Sequence, residues 1–228
     1  MTILASDNFT RANNTDLGAA WDVTVGDEAT GFQIVSNLAI QETTNDTSES
    51  NNSAAWPADQ YSSTTYGTAP ATGLGAGVGP MCRCAVTSNT YYRLICSLSG
   101  YEISRFNSGT FTSLASGGTT HTAADTATLE VRTNGTNCDW VLKKNGAQFA
   151  SGTDTTPLAS GRAGIAYSST STASIAAWEG GDFVSVILPR RLKFKTLLER
   201  RYKVSFPAEL DVNTWYRSLV ERLRMVFA

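Results

Sequence analysis

Short segments of alternating apolar and polar residues recur from the start of the chain to about Asp182. Two Asn-Gly pairs, Asn134-Gly135 and Asn145-Gly146, separate such segments. Both central residues of a type I′ hairpin turn need positive φ, which Asn and Gly tolerate best. No helical period in this part of the sequence lasts longer than one turn. The pattern therefore predicts many short antiparallel strands, at the spacing typical of an all-β sandwich.

The alternation is clear enough to place individual strands. We predict strands over residues 32–35, 38–41, 81–86, 91–98, 101–106, 110–114, 128–132, 138–143, 163–167 and 174–178. The polar stretch 43–53 contains no apolar residue and predicts a solvated surface loop. The glycine-rich stretch 73–79 imitates a nucleotide-binding loop, but a predicted strand follows it where the dinucleotide fingerprint needs a helix. We interpret it as a strand entry where two backbones approach closely.

The periodicity changes after Pro189. Apolar residues then recur at steps of three and four, which predicts two amphipathic helices separated by Phe206-Pro207. Residues 1–188 carry 8 Lys and Arg against 16 Asp and Glu, a net charge of −8, whereas residues 189–228 carry 10 against 4, or +6. The chain therefore divides into a jelly-roll body, 1–188, and a basic helical attachment or oligomerisation segment, 189–228.

The segment 189–228 has apolar stripes that need a partner and basic flanks that suit an acidic surface. We expect it to form a protein interface through Phe194, Leu197, Leu198, Tyr202, Trp215, Leu219, Leu223, Arg190, Arg191, Arg200 and Arg201. A membrane surface and a merely solvated face are the alternatives. Nucleic acid is not expected, because its binding sites pair basic charge with a recognition fold or stacking aromatics. No apolar run approaches the roughly 20 residues of a membrane span.

Candidate catalytic groups are sparse. His121 is the single histidine and lies in a turn-like stretch, which favours a loop residue over a member of a Ser-His-Asp triad. Cys82, Cys84, Cys96 and Cys138 alternate like core residues, so we interpret them as buried thiols, with a cross-strand disulfide or a metal as alternatives. No acidic pair alternates on one strand face, as glycoside hydrolysis would favour.

We expect no cofactor. The alternative is a calcium ion bound with the help of loop carbonyls. Its candidate ligands are Asp7, Asp125, Asp139, Asp154 and Asp182. The sequence start lacks a basic region and has too few apolar residues for a secretory signal, so we expect synthesis and assembly without export.

Several motifs along the body resemble one family. They are Asp7-Asn-Phe-Thr-Arg-Ala-Asn, Leu17-Gly-Ala-Ala-Trp21, Phe32-Gln-Ile-Val-Ser-Asn-Leu38, Trp140-Val-Leu-Lys-Lys-Asn-Gly and Ala177-Trp-Glu-Gly-Gly-Asp-Phe. Together they are similar to concanavalin A-like (laminin G-like) jelly-roll domains, over roughly residues 5 to 183. The resemblance implies two apposed antiparallel sheets with Trp21, Phe32 and Trp140 in or near the core. It is specific for fold and hardly at all for activity.

Domains that resemble this one occur in lectins, glucanases, extracellular binding modules and virion proteins of tailed bacteriophages. The glucanase strand Glu-x-Asp-x-x-Glu is absent from this sequence. We therefore expect a non-enzymatic phage structural protein, a capsid decoration or cement protein, or a tail or fibre component, that contacts other virion proteins and sister subunits. The alternative is a carbohydrate-binding module that stacks a surface glycan on an exposed aromatic, Trp56, Tyr61 or Tyr66. A hydrolase would need two carboxylates in one groove.

Overall fold

The computed structural model describes residues 1–24, 31–42, 47–168 and 172–183. The chain divides into two units, Met1–Val184 and Ser185–Ala228. The second unit, with the predicted helices and interface residues of segment 189–228, lies outside the described residues, so those features stay predictions. Within the ranges that the structure describes, no helix is long and apolar enough to cross a bilayer.

The described part of the body is a sandwich of two antiparallel sheets. The eight-stranded sheet consists of β1 (Thr2–Asp7), β3 (Phe32–Val35), β4 (Leu38–Gln41), β6 (Gln60–Thr68), β11 (Thr126–Asn134), β12 (Asn137–Lys144), β13 (Ala147–Asp154) and β15 (Ser174–Asp182). The seven-stranded sheet consists of β2 (Trp21–Val23), β5 (Thr47–Asn51), β7 (Val78–Ala85), β8 (Thr90–Cys96), β9 (Tyr101–Asn107), β10 (Thr110–Gly117) and β14 (Arg162–Tyr167). The all-β prediction is confirmed for this part of the chain.

The strand order brings distant segments together. The eight-stranded sheet runs β13-β12-β11-β6-β15-β4-β3, and β1 pairs with β15 beside β4. The seven-stranded sheet runs β10-β9-β8-β7-β14-β5-β2. The first strand and the last one therefore lie side by side in the eight-stranded sheet, and each sheet interleaves early and late strands.

Hairpin turns form where the sequence predicts them. Ser36 and Asn37 have φ of 54° and 63° between β3 and β4, as a type I′ turn requires. Asn145 and Gly146 have φ of 51° and 80° between β12 and β13. Gly135, with φ of 62°, lies in the turn between β11 and β12. Both Asn-Gly pairs therefore mark hairpins, but only Asn145-Gly146 has positive φ at both residues; Asn134 is the last residue of β11 and Gly135 alone has positive φ.

Aromatic and aliphatic side chains fill the space between the sheets. Trp21, Phe32 and Trp140 are 7%, 0% and 5% exposed, so their expected place in the core is confirmed. Trp178 on β15 packs edge-on against Trp21, with ring centroids 4.8 Å apart. The four cysteines are buried and free, as the sequence predicts.

The expected loop at 43–53 is wrong for its second half. Residues 47–51 form β5, which pairs with β14 on one side and β2 on the other. Ser48, Glu49, Ser50 and Asn51 are buried there. Pairing on both edges satisfies the backbone N–H and C=O groups of the strand. The buried side chain of Glu49 accepts a hydrogen bond from the Phe32 backbone N–H at 2.6 Å. Polar composition therefore does not mark an exposed segment here.

The glycine-rich stretch enters β7 as the sequence predicts. A short 3₁₀ turn, Leu74–Ala76, precedes the strand. A Cβ atom built on Gly79 would lie 2.1 Å from the carbonyl oxygen of Leu94 on the adjacent strand. Only glycine permits this backbone approach, so the stretch is explained by packing.

Candidate functional site: a polar groove on the eight-stranded sheet

The central strand β6 presents different chemistry to the two sides of its sheet. Ser62 donates to the carbonyl of Gly164 at 2.7 Å, and Tyr66 is buried in the core, so these side chains point towards the other sheet. Because side chains alternate along a strand, Ser63 and Thr65 lie on the opposite, outward face.

Hydroxyl pairs cross from β6 to β11 on this outward face. The Ser63 and Thr128 hydroxyls are 2.8 Å apart, and those of Thr65 and Thr126 are 3.1 Å apart. Each hydroxyl has one donor and two acceptor sites, so a paired set still offers one O–H and three lone pairs. The outward face therefore carries a ladder of hydroxyls that are fixed by one another and keep capacity for a ligand.

A groove of about 540 Å³ lies beside this hydroxyl ladder. It is lined by Ser6, Asp7, Asn8, Ser63, Thr65, Thr126, Ala177, Trp178 and Glu179. Its outer wall is the end of β1, which pairs with β15 only from Asp182 to Trp178, while β4 pairs with β15 further on, at Ile175 and Ser174. The groove therefore lies near the point where β4 gives way to β1 as the pairing partner of β15. Its volume falls within the usual range of small-molecule sites.

Asp7 is the anchor of the groove's outer wall. Its carboxylate accepts hydrogen bonds from the Phe9 backbone N–H, the Trp21 indole N–H and both terminal nitrogens of Arg11, at 2.7 to 3.0 Å. Burial alone would raise the pKa of Asp7, but these hydrogen bonds outweigh it and lower the pKa. Arg11 also donates to the carbonyl of Leu17 at 2.7 Å. Asp7 is thus a fixed, ion-paired carboxylate that shapes the wall.

Glu179 is the second carboxylate of the groove. Burial raises the pKa of Tyr61 to about 12, and the neighbouring carboxylates of Glu179 and Asp182 add to the effect. Among the described residues, no Lys or Arg forms an ion pair with Glu179. The groove therefore carries one carboxylate that no described cation neutralises.

Further along β11, the same face is charge-balanced. Glu130 is 1% exposed and lies between Arg132, at 3.0 Å, and Lys143. The Arg132 guanidinium also lies over the ring of Phe183, 4.1 Å from its centroid. Both cations on this part of the sheet are thus committed to Glu130 rather than to the groove.

The aromatic residues expected to stack on a glycan do not form an exposed platform, and this part of the hypothesis needs correction. Tyr66 and Tyr61 are only 1% and 3% exposed. Trp56 is half-buried, packs against Trp178 with ring centroids 6.0 Å apart, and donates its indole N–H to the carbonyl of Asn51. Tyr66 fills the core, and Tyr61, on the outward face of β6, packs near Phe183.

His121 lies in a loop, as the sequence predicts, but it is fully buried. Its ring packs edge-on against Tyr66 and Phe149, with centroids 5.9 and 5.8 Å away. Burial lowers its pKa to about 4, and the charge of Lys144 acts in the same direction. The imidazole is therefore a neutral packing residue of the core and is not among the residues that line the groove.

The five candidate calcium ligands are dispersed among other partners. Asp125 accepts from Asn145 and pairs with Lys144 at 2.9 Å, while Asp154 pairs with Arg105 at 2.7 Å. In the part of the chain that the structure describes, no three acidic, cysteine or histidine side chains group as metal ligands. Calcium binding stays an untested alternative.

Sequence reasoning missed the residues that line the groove. Ser6, Asn8, Ser63, Thr65 and Thr126 belong to residue types that are abundant throughout this chain, so composition did not single them out. One signal was present: the strand Ser62-Ser-Thr-Thr has hydroxyls on both faces, although only one face enters the core.

No protein-family model matches the chain, and no curated protein matches its sequence. Among solved structures, it is similar to the carbohydrate-binding module CBM66 from Bacillus subtilis, with a TM-score of 0.50 and 13% identity over 72% of this chain and 92% of that one. It is also similar to a bifunctional GH43-CE protein of Bacteroides eggerthii, with a TM-score of 0.50 and 10% identity over 80% of this chain and 28% of that one. The likeness establishes the fold alone, a two-sheet antiparallel β-sandwich that the chain shares with these proteins.

Proposed function

We propose that this protein is a non-catalytic carbohydrate-binding module whose ligand lies in the groove between β1, β15, β6 and β11. The observation that carries the proposal is the lining itself: hydroxyls, an amide and two carboxylates around a cavity of about 540 Å³. Sugars present a dense array of hydroxyls, each of which can donate and accept a hydrogen bond. The hydroxyl, amide and carboxylate groups of the lining can pair with them. The shared fold with a carbohydrate-binding module supports the same reading.

The mode of binding differs from the one that the sequence suggested. Hydrogen bonds rather than aromatic stacking hold the sugar, because Trp178 in the groove is 2% exposed. A net hydrogen bond contributes about 0.5 to 1.5 kcal/mol in water. A few of them give a dissociation constant of about 10 μM to 1 mM, which is a weak interaction. Several copies or a long polysaccharide would strengthen it through multivalency.

The carboxylates of the groove favour binding over hydrolysis. A glycosidase needs a general acid whose pKa is raised, opposite a second carboxylate. Asp7 has the reverse character, because its hydrogen bonds with Arg11, Phe9 and Trp21 lower its pKa. Glu49 does have a raised pKa, but it is buried beneath Phe32 and is not part of the groove lining.

The expected role as a virion structural protein finds no support in the described residues or in these comparisons. Its main argument is the basic segment 189–228, which lies outside the described residues. The virion location and the partners of that segment therefore stay untested expectations, and the carbohydrate-binding alternative is the better-supported function.

The test is a glycan-binding measurement on the full chain, using an array of neutral and charged oligosaccharides. The decisive variant combines Ser63→Ala with Thr65→Val, which removes two groove hydroxyls and keeps the strand. The matched control combines Ser113→Ala with Thr112→Val on β10 of the other sheet. We expect selective binding by the wild type and the control, and a loss of about tenfold or more in the groove variant. Equal binding by both variants, or no glycan binding at all, would refute the proposal.

A further inference from the structure

We infer that Glu179 makes the groove discriminate by charge: it disfavours glycans that carry carboxylate or sulfate groups and favours sugars that carry an amino group. This inference rests on the proposed carbohydrate-binding function and adds a specificity-determining residue to it. The basis is the charge distribution around the groove.

The charges near the groove do not cancel. Asp7 is neutralised by Arg11 through two hydrogen bonds. Glu179 has no cationic partner in the described ranges. The lining contains no Lys or Arg to pair with a glycan carboxylate. An anionic sugar would therefore meet negative charge without compensation.

The strand register places Glu179 among the sugar-binding hydroxyls. On one side it is directly opposite Ser63 of β6, and on the other side it is opposite Ser6 of β1. Side chains of directly opposed residues have Cβ atoms about 4.5 to 5.5 Å apart. A sugar that hydrogen-bonds to Ser63 or Ser6 therefore lies within reach of the Glu179 carboxylate.

The buried Tyr61 ring lies beside that carboxylate. Tyr61 is opposite Gly181, two residues along β15 from Glu179, and is 3% exposed. Its ring lies near Phe183, with centroids 6.1 Å apart, so it cannot move without losing this packing. A fixed ring on one side of Glu179 limits where the carboxylate can extend, and a charge held within a small region favours discrimination between ligands.

The size of the effect follows from partial exposure. One charge pair at a solvent-accessible site is worth about 0.2 to 1 kcal/mol, because water and salt screen it. Several charged units along a polysaccharide add to this. We therefore expect the affinity ratio between matched neutral and anionic glycans to be about 1.4-fold to fivefold per engaged charged unit.

The experiment uses matched polysaccharides, so that only the substituent changes. Xylan, mannan and dextran are each tested unmodified, carboxymethylated and diethylaminoethylated, against the full-length wild type and Glu179→Gln. The charge-matched control is Glu102→Gln on β9 of the seven-stranded sheet. A second control, Ser63→Ala with Thr65→Val, separates groove binding from general attraction to the amino polymers.

For the wild type we expect the amino form of the bound polysaccharide to bind tightest, the unmodified form next and the carboxymethylated form least. Glu179→Gln should compress this ratio about 1.4-fold to fivefold per engaged charged unit, and Glu102→Gln should leave it unchanged. If a polysaccharide binds but its carboxymethylated form binds equally well, or if Glu179→Gln leaves the ratio intact, the inference fails while the proposed function stands. If none of the nine polymers binds, both fail.

Discussion

The outer faces of the two sheets obey the same alternation and carry opposite chemistry. On the eight-stranded sheet, the outward positions of β6 and β11 hold Ser63, Thr65, Thr126 and Thr128, which flank the groove. On the seven-stranded sheet, the outward positions form a second buried cluster of Met81, Cys84, Tyr91, Phe106 and Ala166. One face is built to offer hydrogen bonds and the other to exclude water. Alternation alone therefore identifies strands, and the residue type at the outward positions decides what each face does.

The aromatic face is held by ring contacts. Tyr91 and Phe106 are stacked with centroids 4.8 Å apart, and the Arg93 guanidinium lies 4.7 Å from the Phe106 centroid. Phe111 on β10 meets Phe106 edge-on at 5.4 Å but is 48% exposed. On this face, Phe106 is therefore buried, while the neighbouring ring of Phe111 is largely exposed.

The largest expected effect comes from the aromatic face. Phe106→Ala should lower the free energy of unfolding by about 3 to 5 kcal/mol, because it leaves a cavity in a buried cluster. Phe111→Ala is the natural control and should cost less than about 1 kcal/mol. Urea unfolding of both variants measures this. A Phe106→Ala protein as stable as Phe111→Ala would show that the cluster does not pack as described. Glycan affinity should be unchanged in both.

Next in size are two buried titratable groups that respond to pH in opposite directions. Burial raises the pKa of Glu49 from 4.5 to about 7, so the folded state binds more protons than the unfolded state between these values. The contribution of Glu49 to the free energy of unfolding is full below pH 4.5 and is lost as pH rises to 7. Burial lowers the pKa of His121 from 6.5 to about 4, so its contribution is full above pH 6.5 and is lost as pH falls to 4.

Single substitutions should show that the two groups change the free energy of unfolding in opposite directions as pH rises. Relative to wild type, Glu49→Gln should gain about 3 kcal/mol of stability as pH rises from 4.5 to 7. His121→Leu should gain a similar amount as pH falls from 6.5 to 4. Chemical unfolding at a series of pH values checks both. Parallel curves for wild type and variant would contradict the assigned burial. Neither group lines the groove, so glycan affinity should not follow these changes.

The smallest expected effect comes from one groove hydroxyl. Thr126→Val removes the partner of Thr65 and one ligand contact, and should weaken glycan binding about threefold to tenfold. Stability should change by less than about 1 kcal/mol, since the site is partly exposed. Calorimetric titration and urea unfolding give the two numbers. A large loss of stability with unchanged affinity would place Thr126 in the scaffold rather than in the site.

Ten of the fifteen strands in the described residues were predicted from the sequence, because their alternation and hairpin turns are local; β1, β2, β5, β6 and β13 were not. The turns at Ser36-Asn37 and Asn145-Gly146 follow from short-range backbone preferences. The buried strand β5 was missed because its residues are polar and its stability comes from pairing with β14 and β2, which are remote in sequence.

The site itself was beyond sequence reasoning. Ser6 and Glu179 become neighbours only because the first and last strands pair. Tyr61 and Tyr66 looked like ligand-stacking residues, but alternation places Tyr66 in the core, and Tyr61, on the outward face, is buried among neighbours that include Phe183. Ser and Thr residues acquire a role through their neighbours on one face of a sheet. The sequence alone does not show which residues become neighbours there.

The central claim is that the glycan lies on the eight-stranded sheet and not on the other face. Backbone amide chemical-shift mapping of the full chain, titrated with the neutral glycan that binds best on the array, tests this directly. We predict shifts that cluster at Ser6, Asn8, Ser63, Thr126 and Glu179, with Tyr91 and Phe106 unaffected. Shifts confined to the seven-stranded sheet or to its loops would contradict the account.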